Sequence, residues 1–156
     1  MFRIEVFTKK CFKNLPGEHV LADICGIGIK NITKVDYSTL YIIDGSISYV
    51  EAKIIASKLL IDKITEAYVV HRYFESLSKF AFNINLSIIE VLYKKDVTDT
   101  VSESVVKAVK DLGIVKEIKV KTGCKYYLYG KSSYEVLNKI VTKLLANTLI
   151  QEYRII

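Results

Sequence analysis

The sequence predicts an α+β protein in which one β-α-β-β-α-β unit occurs twice. The first observation is a constant offset: Tyr153 minus Tyr68 is 85, and Lys143 minus Lys58 is also 85. Roughly twenty positions match at this offset without a gap, which indicates an internal duplication. The second observation is periodicity. Alternating apolar residues predict strands, and apolar stripes at helical spacing predict helices, at corresponding places in both halves.

The first half is predicted to contain four strands and two helices. In chain order we expect a strand over 1–10, a helix from Asn14 to a stop at Gly28, a hairpin of strands 32–37 and 40–43 around Tyr37-Ser38, a helix opened by a Ser48–Glu51 capping box, and a closing strand over 66–72. This order of elements is that of a ferredoxin-like unit.

The second half repeats the order after a linker. A long strand is expected to begin near Phe80, and a change in its alternation after Ile88 indicates a bulge or bend. In chain order there follow a helix opened by Asp99 and ended by Gly113, a hairpin of strands 117–121 and 125–129 around Thr122-Gly123, a helix with capping-box spacing from Ser132 to Glu135, a turn at Asn147, and a final strand.

The predicted domain organisation is a first repeat over 1–73, a linker and strand start over 74–83, and a second repeat over 84–156. Each repeat would place two helices on one face of a four-stranded sheet. The third strands carry apolar or tyrosine residues on both sides, among them Tyr41 and Tyr126, so the other face needs a cover. We therefore expect two tandem ferredoxin-like units packed sheet to sheet as an intramolecular pseudo-dimer.

Composition narrows the functional class. The net charge is +6, but the lysines are scattered, so solvated faces are favoured over a nucleic-acid groove, and RNA binding is the weakest option. No apolar run approaches the ~20 residues that cross a membrane. The three cysteines fit no zinc pattern and follow no signal peptide, which predicts reduced, partly buried thiols in a cytoplasmic protein.

Several residues imitate catalytic motifs. Cys25 lies in a helical stripe without the flanking glycines of a nucleophile elbow, so we expect a buried or half-buried structural thiol. Gly26-Ile27-Gly28 lacks the third glycine of a dinucleotide fingerprint and ends a helix instead. His19 and His71 have no companions at ligand spacing. We therefore assign no catalytic, cofactor-binding or metal-binding residue to this chain.

The candidate partner contacts lie on the strands. Lys9, Lys10, Lys94 and Lys95 end the first strand of each repeat, where they suit an acidic partner or a phosphate, although solvated strand ends are the simpler interpretation. Tyr41 and Tyr126 of the third strands complete the set. Glu5 and Glu90 lie mid-strand and are expected to form ion pairs with neighbouring lysines, with an interface role as the alternative.

The segment Leu144-Leu145-Ala146-Asn147-Thr148-Leu149-Ile150-Gln151-Glu152-Tyr153 strongly resembles the end of PurS, the small subunit of phosphoribosylformylglycinamidine synthase. Ile89-Glu90-Val91 and Leu112-Gly113-Ile114 resemble other parts of that family, and the first half matches it more weakly. The sequence departs from the family at Thr148, which replaces the turn proline, and at Cys124, which interrupts a Gly-Lys-Tyr.

The resemblance implies an assembly role in de novo purine biosynthesis. A PurL-type synthetase would bind ATP and magnesium, a PurQ-type glutaminase would release ammonia, and this chain would dock the two and aid ammonia transfer without a cofactor of its own. A fragment of a larger fused synthase is a further expectation. The alternative function is an ACT-like regulatory module that binds a small molecule between repeats, with contacts near Gly28 or Gly113.

Overall fold

The computed structural model of the protein describes residues 1–72 and 85–156. The predicted linker over 74–83 and the beginning of the long strand at Phe80 lie outside the described residues. The elements in chain order are β1 (Phe2–Thr8), α1 (Leu15–Gly26), β2 (Lys34–Gly45), α2 (Tyr49–Ile55), β3 (Glu66–Arg72), β4 (Leu86–Tyr93), α3 (Thr100–Asp111), β5 (Ile118–Tyr129), α4 (Tyr134–Ile140) and β6 (Gln151–Ile155). The protein is thus α+β, as predicted.

The six strands form one sheet in the order β3-β1-β2-β5-β4-β6. β1 and β3 pair antiparallel, with Ile4 opposite Val70. β4 and β6 pair antiparallel, with Ile89 opposite Ile155. Both residues of the second pair lie 85 positions after those of the first, so the two outer strand pairs share one register.

Both predicted hairpins are wrong. β2 and β5 are continuous strands of 12 residues each, and they pass through Tyr37-Ser38 and Thr122-Gly123 without turning. A two-residue hairpin turn needs positive φ angles, and within the described residues no side-chain-bearing residue has one. Gly123 is also not among the glycines with positive φ. Within residues 1–72 and 85–156, each half therefore contributes three strands rather than four.

The chain forms two compact units that do not follow the boundary between the halves. Among the described residues, unit 1 contains 1–12, 39–72 and 98–123, and unit 2 contains 13–38, 85–97 and 124–156. β2 and β5 each contribute one part to unit 1 and the other part to unit 2. The division into sequence repeats stays a prediction, because each compact unit combines segments of both halves.

The core of unit 1 lies between β1, β3 and the helices α2 and α3. Its buried side chains include Ile4 of β1, Ile55 of α2 and Val109 of α3. α2 continues as a π-helical turn over Ala56–Leu60, and α3 contacts this turn. A helix of the second half thus packs on a helix of the first half, and burial of these apolar faces supplies the main driving force for the unit.

Unit 2 is built from the corresponding elements. Ile24 of α1, Ile89 of β4 and Ile140 of α4 are fully buried in its core. α4 also continues as a π-helical turn, over Val141–Leu145, and α1 contacts it. The two π-helical turns lie 85 residues apart, so the same local distortion occurs in both halves.

The helix ends were largely predictable. Ser48 accepts a hydrogen bond from the amide of Glu51, and the Glu51 carboxylate accepts one from the amide of Ser48, which confirms the capping box. Gly28 and Gly113 end α1 and α3 with φ angles of 84° each, as expected for helix stops. The spacing from Ser132 to Glu135 misplaced the start of α4.

The N-cap of α4 is Ser133, whose hydroxyl accepts from the amide of Val136. Ser132 instead lies before the cap, where its hydroxyl accepts a hydrogen bond from the side-chain amide of Asn31 at 3.0 Å. Ser133 follows Ser48 by 85 residues, so the offset is a better guide to this helix start than the local spacing.

The first helix of each half is capped by a side chain that also binds a long strand. In unit 2, Asn14 accepts from the amide of Gly17 at 3.0 Å and donates through its side-chain amide to the carbonyl of Tyr37 at 3.0 Å. In unit 1, the Asp99 carboxylate accepts hydrogen bonds from the backbone amides of Ser102 and Thr122, each at 2.9 Å. The two caps are equivalent under the 85-residue offset, but the hydrogen bond to the strand has the opposite polarity.

Within the described residues, no helix combines the length and the apolar character that a membrane span requires.

Candidate partner-binding surface

The six predicted contact residues differ widely in exposure. Lys10, Lys94 and Lys95 are exposed, whereas Lys9 is half-buried. Tyr41 is half-buried and packs against the core of unit 1, and Tyr126 is a buried member of the core of unit 2. The assignment of these residues as partner contacts stays a prediction.

Lys9 fastens a turn at the end of unit 1. Its Nζ donates hydrogen bonds to the carbonyls of Lys63 at 2.6 Å and Ile64 at 3.0 Å. The turn is also closed by Asp62, whose Oδ1 accepts from the amide of Ile64 at 2.7 Å, and by Glu66, whose carboxylate accepts from the amide of Asp62 at 2.8 Å. We call residues 62–66 with the Lys9 ammonium the stapled turn of unit 1.

Unit 2 contains the same construction. The Nζ of Lys94 donates to the carbonyls of Thr148 at 2.6 Å and Leu149 at 3.3 Å. Asn147 Oδ1 accepts from the amide of Leu149 at 3.1 Å, and Gln151 Oε1 accepts from the amide of Asn147 at 2.9 Å. We call residues 147–151 with the Lys94 ammonium the stapled turn of unit 2. Every one of its partners lies 85 positions after its counterpart in unit 1.

Each stapled turn displays one large aliphatic side chain. Ile64 is 73% exposed and Leu149 is 82% exposed, although both are of residue types that usually avoid solvent. Sequence reasoning did not select them as site residues. The available signal was an aliphatic residue at the same position of two polar turns that match at the 85-residue offset.

Tyr126 belongs to a small polar cluster inside unit 2. Its ring lies 5.4 Å from the ring of Tyr37 in an edge-to-face arrangement, which is a favourable geometry for aromatic pairs. The Tyr37 hydroxyl lies 3.3 Å from the Cys124 sulfur. Burial raises the pKa of Tyr126 well above its ordinary value, and the neighbouring Cys124 and Tyr37 raise it further. Tyr126 therefore stays neutral and serves the packing of this unit.

Glu90 forms a buried ion pair, which confirms that part of the prediction. Its carboxylate lies 3.9 Å from the Nζ of Lys125, and both side chains are almost fully removed from solvent. The Lys125 ammonium also lies 5.0 Å from the centroid of the Tyr127 ring, a cation–π contact. Glu5 is half-buried in β1, where it lies opposite Val69 of β3.

The cysteine and the two histidines that imitate catalytic residues differ in exposure. Cys25 is exposed, so the prediction of a buried or half-buried thiol was wrong. Ile24 fills the buried face of α1, and the next residue of a helix points about 100° away from it. His19 is exposed and His71 is half-buried in β3. Within residues 1–72 and 85–156, no three histidine, cysteine or carboxylate side chains group as metal ligands.

Lys116 and Glu51 join two segments of unit 1. The Lys116 Nζ lies 2.8 Å from the Glu51 carboxylate. This bond, together with the Ser48 amide, lowers the pKa of Glu51 from 4.5 to about 2. The capping box of α2 is thereby tied to the loop that precedes β5, and its charge is retained at every pH near neutrality.

A comparison with protein families gives a match to the second half of the chain. Residues 87–156 match the family model PurS, described as phosphoribosylformylglycinamidine (FGAM) synthase. A comparison with curated proteins gave no match. The match indicates a role in FGAM synthase and purine biosynthesis, in which protein partners take part. Residues 87–156, which include the stapled turn of unit 2, are thus similar to the PurS family of FGAM synthase.

Proposed function

We propose that the chain is a tandem PurS-like assembly component of FGAM synthase. In this proposal the first half is a second PurS-like repeat, and the two repeats take the place of two separate subunits as an intramolecular pseudo-dimer. The observation that carries the proposal is the stapled turn, because the half outside the family match repeats its hydrogen bonds at a constant offset. The shared register of the outer strand pairs supports the same conclusion.

The component docks a synthetase and a glutaminase and aids the passage of ammonia between them. ATP and magnesium are bound by the synthetase, and the chain contributes position rather than a reacting group. Holding two partners at a fixed separation converts an encounter between three molecules into a step within one complex. Covalent linkage of the repeats also removes the entropy cost of associating two subunits.

Reconstitution with the synthetase and glutaminase of the same organism tests this function. We expect the three proteins to elute as one larger complex in size-exclusion chromatography. FGAM formation with glutamine as nitrogen donor should require the chain, whereas formation with free ammonium should not. That difference separates a bridging role from a catalytic role in FGAM formation itself, because a residue that acts in that step would be needed with either donor.

Two outcomes would overturn the proposal. The first is glutamine-dependent synthesis at an unchanged rate when the chain is omitted. The second is a clear rise in the melting temperature of the chain with an amino acid or nucleotide, in the absence of any complex, which would support the ACT-like sensor. Bovine serum albumin at equal concentration serves as the control for non-specific stabilisation of the two partners.

A further inference from the structure

Each unit displays an exposed aliphatic side chain on a turn that is held by side-chain and backbone hydrogen bonds. Loop residues are ordinarily mobile, and an exposed leucine or isoleucine on a mobile loop has no particular meaning. Here the same side-chain type is displayed twice, at positions 64 and 149, on turns fastened by the same lysine contacts. A repeated construction of this kind indicates a shared purpose.

Backbone hydrogen bonds hold each turn from a second side. In unit 1 the amide of Lys9 donates to the carbonyl of Thr65 at 2.9 Å, and the amide of Phe12 donates to the carbonyl of Lys9 at 2.9 Å. In unit 2 the amide of Lys94 donates to the carbonyl of Ile150 at 3.0 Å, and the amide of Val97 donates to the carbonyl of Lys94 at 3.2 Å. Little conformational entropy remains to be lost when such a turn is bound.

The charges beside the turns define the partner. Lys10 is exposed next to the turn of unit 1, Lys63 is exposed within it, and Lys95 is exposed next to the staple of unit 2, where the exposed Asp96 follows it. The Asp62 and Glu66 carboxylates of the turn of unit 1 are engaged by backbone amides. The staple ammonium groups themselves are engaged by backbone carbonyls. A partner surface that suits both turns therefore has an apolar pocket for one aliphatic side chain and carboxylates at its rim.

We propose that the stapled turns of units 1 and 2 are paired docking knobs, each of which inserts its aliphatic side chain into an acid-rimmed apolar pocket of a partner subunit. Ile64 and Leu149 are the anchors, and the exposed lysines beside them set the rate of encounter. This inference rests on the proposed function, since it names the residues through which the chain docks. A few side chains that fill well-packed, desolvated pockets carry most of the affinity of an interface.

Aspartate substitutions test the anchors. We expect Ile64→Asp and Leu149→Asp each to weaken binding to the synthetase and glutaminase by about tenfold or more, and the double variant to bind more weakly than either. Binding is measured by isothermal titration calorimetry. The matched control is Val115→Asp, because Val115 is 88% exposed but lies outside both turns, and it should change the Kd by less than about twofold.

Conservative variants separate docking from folding. Ile64→Leu and Leu149→Ile keep an aliphatic side chain and should bind within about twofold of the wild type. The anchors are exposed, so melting temperatures of the aspartate variants should match that of Val115→Asp. Lys10→Glu and Lys95→Glu should slow association and reduce its salt dependence, with little effect on dissociation.

The possible failures are distinguishable. If the wild type binds neither subunit, the proposed function fails. If the wild type binds but the double aspartate variant binds equally well, only the docking knobs are refuted. A double variant that loses self-association in sedimentation experiments, while it retains partner binding, would assign the turns to a contact between copies of this chain and would also overturn the inference.

Discussion

Replacing Asp99 by asparagine changes little in the size of the side chain and tests how its cap is built. Oδ1 of Asp99 accepts from the amide of Ser102 at 2.9 Å, and Oδ2 accepts from the amide of Thr122 at 2.9 Å. The Thr122 hydroxyl lies within 2.9 Å of both oxygens. An asparagine that keeps the first bond turns its NH₂ group toward the Thr122 amide, so two donors face each other.

The expected cost follows from these contacts. Thr122 is only 4% exposed, so its amide would have no water to replace the carboxylate. A buried donor left without an acceptor costs about 1–3 kcal/mol, so we expect Asp99→Asn to lower the free energy of unfolding by about 2 kcal/mol. Asp99→Ala also removes the helix cap, which adds about 1 kcal/mol. A loss of this size is a large part of the ~5–15 kcal/mol that stabilises most domains.

Urea denaturation followed by circular dichroism measures the effect. With a slope of about 2 kcal/mol per molar urea, Asp99→Asn should move the midpoint down by about 1 M. Asp96→Asn is the control, because Asp96 is exposed and the substitution changes the net charge equally. Equal midpoints for the two variants would show that the Thr122 amide does not depend on a carboxylate, and the reasoning would be refuted.

Two further predictions concern strand approach and acid stability. Gly130→Ala should lower the free energy of unfolding by about 3 kcal/mol, because at φ 140° a Cβ would overlap the Asn31 carbonyl. Gly28→Ala should cost about 1 kcal/mol, because Gly28 has a φ of 84° but open space around it. Equal urea midpoints for the two variants would contradict this prediction. Glu51 has a folded pKa of about 2 against an ordinary 4.5, so its stabilising contribution is complete above about pH 4.5 and is lost as the pH falls toward 2. The difference in unfolding free energy between wild type and Glu51→Gln should therefore be constant from pH 7 to 5 and shrink below; a difference that grows in acid would refute the assignment.

Local signals in the sequence were sufficient for most helix ends, with the start of α4 as an exception, and for the closing strand of the first half. The stops at Gly28 and Gly113 follow from residue type, because glycine adopts positive φ without strain. The predicted closing strand over 66–72 coincides with β3, since its flanking turn and its alternation agree. The capping box at Ser48 is likewise a short-range pattern, read from four consecutive residues.

The two long strands could not be predicted in this way. In β2 the buried positions are Val35, Ser38, Leu40 and Ile43, which do not keep a period of two. The irregularity falls where the strand passes from unit 2 to unit 1. The burial pattern of each part is therefore set by a different hydrophobic core. Without knowledge of that exchange, a broken alternation reads as a turn. The buried Ser38 added to the error, because serine is more typical of turns than of cores.

The caps at Asn14 and Asp99 show that equivalent positions of the two halves make hydrogen bonds of opposite polarity. The two side chains lie 85 residues apart, and each caps the first helix of its half. Asn14 donates to the carbonyl of Tyr37, whereas Asp99 accepts from the amide of Thr122, which lies 85 residues after Tyr37. The backbone arrangement has been retained while the chemical identity of the contact has reversed. The stapled turns share both the positions and the lysine, so they are the part of the two proposed repeats in which a common binding role is best sought.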